Sequence, residues 1–225
     1  MEVIIDFLED GDVKNEMTGA EAGIELVNYA EIKGSGTLIN EGRLVFTEGA
    51  LVGTMLINQG GSEGPVVFEG GNNIRRFIDG RFINAAEAEG ENERGVVTQK
   101  ANVVVGPDGT LENCGIYTIE GSAKILDLTL GGRETPLFRN IGEEGLLLKT
   151  GEGRAEIQGH FELVGGGEVL FNDAGETTGL RAKGGIRVEG GSLTLSGGGA
   201  LHSEPFDATR AIPAWVTLWM AEISP

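Results

Sequence analysis

Apolar and polar residues alternate along most of this chain in short runs, and many runs end the same way. "GTLINEGRLVF" (Gly36–Phe46) sets the pattern: a Gly, an apolar step through Leu38 to Asn40, another Gly, then a second apolar stretch. Variants are "GTMLIN" ending at Asn58, "GRFIN" ending at Asn84, "GTLENCG" around Asn113 and "GEVLFNDAG" around Asn172. Of the 12 asparagines, seven have Leu or Phe two places earlier: Leu26, Leu38, Leu56, Phe82, Leu111, Phe138 and Leu170. Leu and Phe make up 30 of the 225 residues, so composition alone would supply about 1.6 such cases. Six of the seven are introduced by a Gly: Gly23, Gly36, Gly53, Gly80, Gly109 and Gly167.

Leu-x-Asn on an extended segment puts both side chains on one face. Asn tolerates the left-handed conformation and bonds its own backbone, which suits a corner, and the Gly permits positive φ at the next corner. Each phrase therefore predicts a short strand, one inward apolar anchor and a turn, with all seven anchors pointing inward. Steps between successive phrase asparagines are 12, 18, 26, 29, 27 and 32 residues. After the first, these approximate one coil of a parallel β-solenoid with loops inserted unevenly. Beyond Asn172 the punctuation passes to Gly pairs, and Ile186, Val188, Leu193 and Leu195 alternate with polar residues as half-buried strands do. Helix is scarce. Ala20–Lys33 fits one or two amphipathic turns, or equally a strand with Ile24, Leu26 and Ile32 on one face, and Asn84–Gly95 predicts an exposed loop.

The "GTLINEG" and "GGSLTLSGGGAL" phrases resemble the coils of haemagglutinin-repeat adhesins, autotransporter passengers and phage tailspike β-helices. The resemblance covers roughly Gly23 to Leu201 and implies an all-β, right-handed parallel β-helix; it carries over no catalytic residue. The expected organisation is an acidic N-terminal cap (1–22), a β-solenoid (23–202) and an apolar C-terminal capping or docking segment (203–225). The competing architecture is a β-sandwich or jelly roll, which also uses many short strands and Gly-rich turns.

Composition narrows the picture. With 39 Gly, 6 Pro and 40% hydrophobic residues the chain is globular and rich in turns. Only 6% is aromatic, so Val, Ile and Leu must build most of the core. A net charge of −18 repels phosphate backbones, which argues against nucleic acid as a partner. The single Cys114 rules out an internal disulfide and suggests no thiolate metal site. The acidic start lacks the basic segment and apolar stretch of a secretory signal, and no apolar run approaches a membrane span. The chain is expected to be made and kept in a cytoplasm.

Candidate chemistry is sparse. Glu9, Asp10, Asp12 and Glu16 gather oxygens without the spacing of an EF-hand loop and fit an acidic solvated turn; "GPDGT" (Gly106–Thr110) is a turn signature. Glycoside hydrolysis needs two carboxylates about 5–10 Å apart, and Glu143, Glu144, Asp173 and Glu176 are the acids nearest phrase turns. A lyase would need a base and cations, and Arg75–Arg76 is the one basic doublet. His160 and His202 stand in no metal-ligand spacing, Cys114 fits a small semi-buried residue, and no Gly run has the context of a phosphate loop. The expectation is no catalytic, cofactor or metal residue.

The tail differs. Ala211–Pro225 is apolar and holds both tryptophans, and Trp215 and Trp219 share a face whether strand or helix. It would either cap an open solenoid end or seal an interface through Trp215, Val216, Leu218, Trp219 and Met220. The expected function is a non-enzymatic structural protein similar to a phage virion component: a capsid decoration protein, head fibre or tail fibre. It would assemble in the host cytoplasm as a homo-oligomer, a trimer foremost, or on a capsid. The alternatives are a polysaccharide depolymerase or lyase and a surface adhesin, so a glycan ligand stays open.

Overall fold

The computed structural model describes residues 4–7, 13–15, 24–26, 31–34, 37–46, 51–62, 64–69, 77–87, 94–128, 135–171, 179–183, 186–189, 192–194 and 200–203. Within them the protein is all-β. Strands of two to five residues form three sheets of nine, eight and eight strands, and every described pairing is parallel. A sandwich or jelly roll is built from antiparallel strands, so that alternative is set aside.

The chain visits the sheets in rotation. Ile4–Phe7 lies in the first sheet, Val13–Asn15 in the second and Ile24–Leu26 in the third. Glu31–Gly34 then returns to the first sheet beside Ile4–Phe7, and the order holds to Ala200–Ser203. Each set of three strands is called a pass below. Ile24, Leu26 and Ile32 do not share one strand face: the first two lie in the third sheet and Ile32 in the first.

The core consists of columns of like residues stacked from pass to pass. In the second sheet Leu38, Leu56, Phe82, Leu111, Phe138 and Phe161 stand in register, each at most 1% exposed. In the third, Leu44, Val66, Val97, Tyr117, Leu147 and Val169 do the same. Parallel strands repeat every ~4.8 Å, a spacing at which rings and aliphatic chains touch like against like. Phe46 stacks on Phe68 with ring centroids 5.0 Å apart, and Tyr117 meets Phe138 edge-on at 5.1 Å.

Five of the seven phrases are the successive second-sheet strands. Asn40, Asn58, Asn84, Asn113 and Asn140 follow their anchors by two residues, align in register and are fully buried. Their amides serve their own corners, as Asn40 Nδ2 does in donating to Gly42 O at 2.6 Å, and also bond along the column. Each Nδ2 donates to the Oδ1 of the next Asn, at 2.8 Å from Asn40, 2.8 Å from Asn58, 2.7 Å from Asn84 and 2.6 Å from Asn113. They also close the corner before the third sheet, where Asn84 Nδ2 reaches the carbonyls of Gly95 and Ile116, and Asn140 Nδ2 those of Gly145 and Glu168. An amide carries both donor and acceptor, so a column of one residue type satisfies itself at the strand spacing. Asn15 stands in register with Asn40, its strand carrying Val13 in place of Leu or Phe.

Two phrases belong elsewhere. Leu26 and Leu170 lie on third-sheet strands, and Asn28 and Asn172 fall outside the described residues. The inward residue of Glu168–Phe171 is Val169, fully buried in register with Leu147; Leu170 is half-buried on the outer face beside Leu148. The expectation that Leu170 points inward is therefore corrected. A shift of one residue moves a side chain to the opposite face, and the phrase alone does not say which face a new sheet presents to the core. The introducing glycines also act otherwise than expected. Gly80 and Gly109 have no positive φ; a Cβ on either would strike the carbonyl of the preceding pass, at Thr54 and Ile78.

Candidate interaction surface

With the core filled by apolar columns and amides, chemistry is left to the outer faces. On the second sheet the outward residues between anchor and Asn form their own column. From Ile39, which stands in register with Lys14, it runs through Ile57 and Ile83, all three isoleucines half-buried, and continues as Glu112, Arg139, Glu162 and Arg187. Charges alternate along this second half, so each Glu is flanked by cations. Arg81 Nη2 lies 2.7 Å from Glu112 Oε2, Arg139 Nε 3.1 Å from Glu162 Oε2, and Arg187 Nη1 3.5 Å from Glu162 Oε1; Arg187 also pairs with Glu189. The hydrogen bond to Glu112 raises the pKa of Arg81. Each carboxylate is held between guanidinium groups, so this face neutralises itself. Cys114 sits half-buried beside it, its thiol pKa pushed up by burial and then by Glu112.

The first sheet carries a smaller cluster. Glu156, almost buried, accepts from Lys183 Nζ at 2.7 Å and Gln158 Nε2 at 2.6 Å. Burial pulls its pKa upward, but the two donors outweigh it and the carboxyl stays below its ordinary value. Lys149, 1% exposed at the end of a third-sheet strand, has its pKa lowered by burial. Its Nζ donates to the carbonyls of Thr150 at 2.6 Å and Gly151 at 2.8 Å, so it closes a turn. Neither set of ion pairs was visible as chemistry in the sequence, because partners 23–31 residues apart meet only through register.

The third sheet differs from both. Its outer face in the middle passes carries Val96 and Thr98, then Ile116 and Thr118, then Leu146 and Leu148, and finally Leu170, all half-buried. Glu120, Glu168 and the exposed Lys100 stand at the margins, and no charged residue occupies the positions between. In a chain of net charge −18 this is an uncharged strip of aliphatic residues and threonines. Such strips, rimmed by polar residues, are the usual contact surfaces of proteins.

The acids singled out as nearest the turns do not converge. Glu143 and Glu144 are exposed in the turn Gly142–Gly145, and Glu144 Oε2 faces Arg94 Nη1 at 3.4 Å. Asp173, Glu176, Arg75, Arg76 and Glu9 to Asp12 lie outside the described residues, as do Trp215, Val216, Leu218, Trp219 and Met220. The Gly106–Thr110 turn is present, with Gly109 N donating to Gly106 O at 3.1 Å. No group of three or more His, Cys, Asp or Glu able to hold a metal ion occurs among the described residues. His202 lies on the last first-sheet strand, in register with Arg181.

His160 is half-buried just before the strand Phe161–Val164, and burial lowers its pKa from 6.5. The native state therefore sheds this proton more readily than the unfolded chain does. Stability from this group is complete above pH 6.5 and is lost as pH falls through the lower folded value. Denaturant midpoints recorded from pH 7.5 downward should fall below pH 6.5, and His160→Gln should flatten the first part of that decline. An unchanged profile in the variant would assign the acid limb to the carboxylates.

No family model matches the chain, and no curated protein or solved structure matches it either.

Proposed function

We propose that this protein is a right-handed parallel β-solenoid with a non-enzymatic structural role, a virion component of the capsid-decoration, head-fibre or tail-fibre type. The observation that carries the reading is the rotation of the chain through three parallel sheets with in-register internal columns. Crossovers between parallel strands are right-handed in nearly every protein, which favours that hand. A stack of this kind is stiff, since each pass is tied to the next by backbone, amide and ring contacts. The charged groups in the outer column of its second sheet are paired with one another, with Arg139 between Glu112 and Glu162. That arrangement suits a scaffold better than a depolymerase, whose acid and nucleophile must be free to meet a sugar.

In this reading the chain assembles inside the host cell, as a homo-oligomer with three copies foremost or on a larger particle, and Trp215 and Trp219 of the tail seal the contact. Native mass with small-angle scattering tests it, and an elongated trimer is the expected result. Incubation with bacterial and algal polysaccharides should release no reducing ends or unsaturated products. Release of either would replace the structural reading with the carbohydrate-active one.

A further inference from the structure

We propose that the uncharged outer strip of the third sheet, centred on Leu148, receives the Ala211–Met220 segment of a second copy of this chain. The inference rests on the oligomeric reading above and names the surface that completes it. Two copies each carrying −18 repel at every acid-bearing face, and contact between them needs charge-free surface on both sides. One side is the strip, where Ile116, Leu146, Leu148 and Leu170 and the threonines Thr98 and Thr118 run uncharged from pass to pass. The other is Ala211–Met220, ten residues without a formal charge and holding both tryptophans of the chain. The last described strand ends at Ser203, and seven residues, 204–210, separate it from this segment. Seven residues span up to ~23 Å when extended, which sets how far from Ser203 the segment can seat. A segment that leaves one copy and seats on a different surface of the next makes a heterologous contact, and three such contacts can close into a ring.

The experiment uses the position of the tryptophans. Trp215 and Trp219 are the chain's only ones, so intrinsic fluorescence reports the tail alone. The wild type should be oligomeric, with blue-shifted emission shielded from acrylamide. Leu148→Glu and, separately, Thr118→Glu place a carboxylate on the strip without touching the core. Each should keep its circular dichroism, fall to monomer mass and show red-shifted, quenchable emission. Mixing Leu148→Glu (intact tail, blocked strip) with Trp215→Ala/Trp219→Ala (intact strip, blocked tail) should yield pairs, since one tail and one strip remain. If both strip variants stay oligomeric with shielded tryptophans, the strip is not the receptor, and the oligomeric reading survives alone. A monomeric wild type with shielded tryptophans would mean the tail folds onto its own chain, and one with exposed tryptophans that it docks on no second copy. Either result ends this proposal and the homo-oligomeric reading with it.

Discussion

Phe138→Ala should lower the unfolding free energy by roughly 3–5 kcal/mol, the range for removing a buried aromatic ring from a packed core. Phe138 is fully buried and stands at the meeting of two columns. Its ring contacts Tyr117 edge-on at 5.1 Å and Phe161 at 5.7 Å, and it lies in register between Leu111 and Phe161. The neighbours are fixed by hydrogen-bonded strands on both sides, so the void cannot collapse without breaking register. The matching control is Leu170→Ala. The repeat phrase puts Leu170 on the same footing as the other anchors, but its half-buried outward position predicts well under half the loss at Phe138. Urea unfolding of the two variants decides the matter, and equal losses would contradict the inward–outward assignment of the third sheet.

The second large effect is expected at Asn84. Replacing it with Leu keeps the volume near constant and removes the amide. Asn58 Nδ2 then loses one acceptor, Asn113 Oδ1 loses a donor, and the carbonyls of Gly95 and Ile116 lose theirs. A buried polar group left unsatisfied costs about 1–3 kcal/mol, and more than one is stranded here, so a loss of about 2–4 kcal/mol follows. Asn84→Asp should be comparably damaging at neutral pH and milder in acid. The carboxylate accepts but cannot donate to Asn113 Oδ1, whereas its protonated form restores one donor. Chemical denaturation of both variants at pH 7 and pH 4.5, read against wild type at each pH, checks the ordering. Wild-type-like stability in Asn84→Leu would show the amide column to be dispensable.

Why the same residue recurs is answered by that column. The sequence repeats Leu/Phe-x-Asn because consecutive passes stack a common position on itself, and an amide, with two N–H donors and a carbonyl acceptor, can bond along such a stack and to the backbone at once. The all-β class was accordingly readable from the chain: short strands, alternation and recurring Asn favoured parallel stacking over a sandwich, and the parallel pairing of the three sheets decided between them. The half-buried state of Cys114 and the Gly106–Thr110 turn were readable too, since each follows from chemistry within a few residues.

What the sequence could not supply was register. Whether Leu170 or Val169 faces the core depends on how the third sheet meets the other two, a matter of one residue in the corner before Glu168. The ion-pair column of Glu112, Arg139, Glu162 and Arg187 and the uncharged strip around Leu148 arise from residues about 20–30 positions apart. Loops of unequal length separate them, and no periodicity along the chain lines them up. Local pattern determined which residues form strands and which one recurs at each corner. Only the three-dimensional stacking, which converts unequal loops into one constant spacing between passes, decided which side chains share a face.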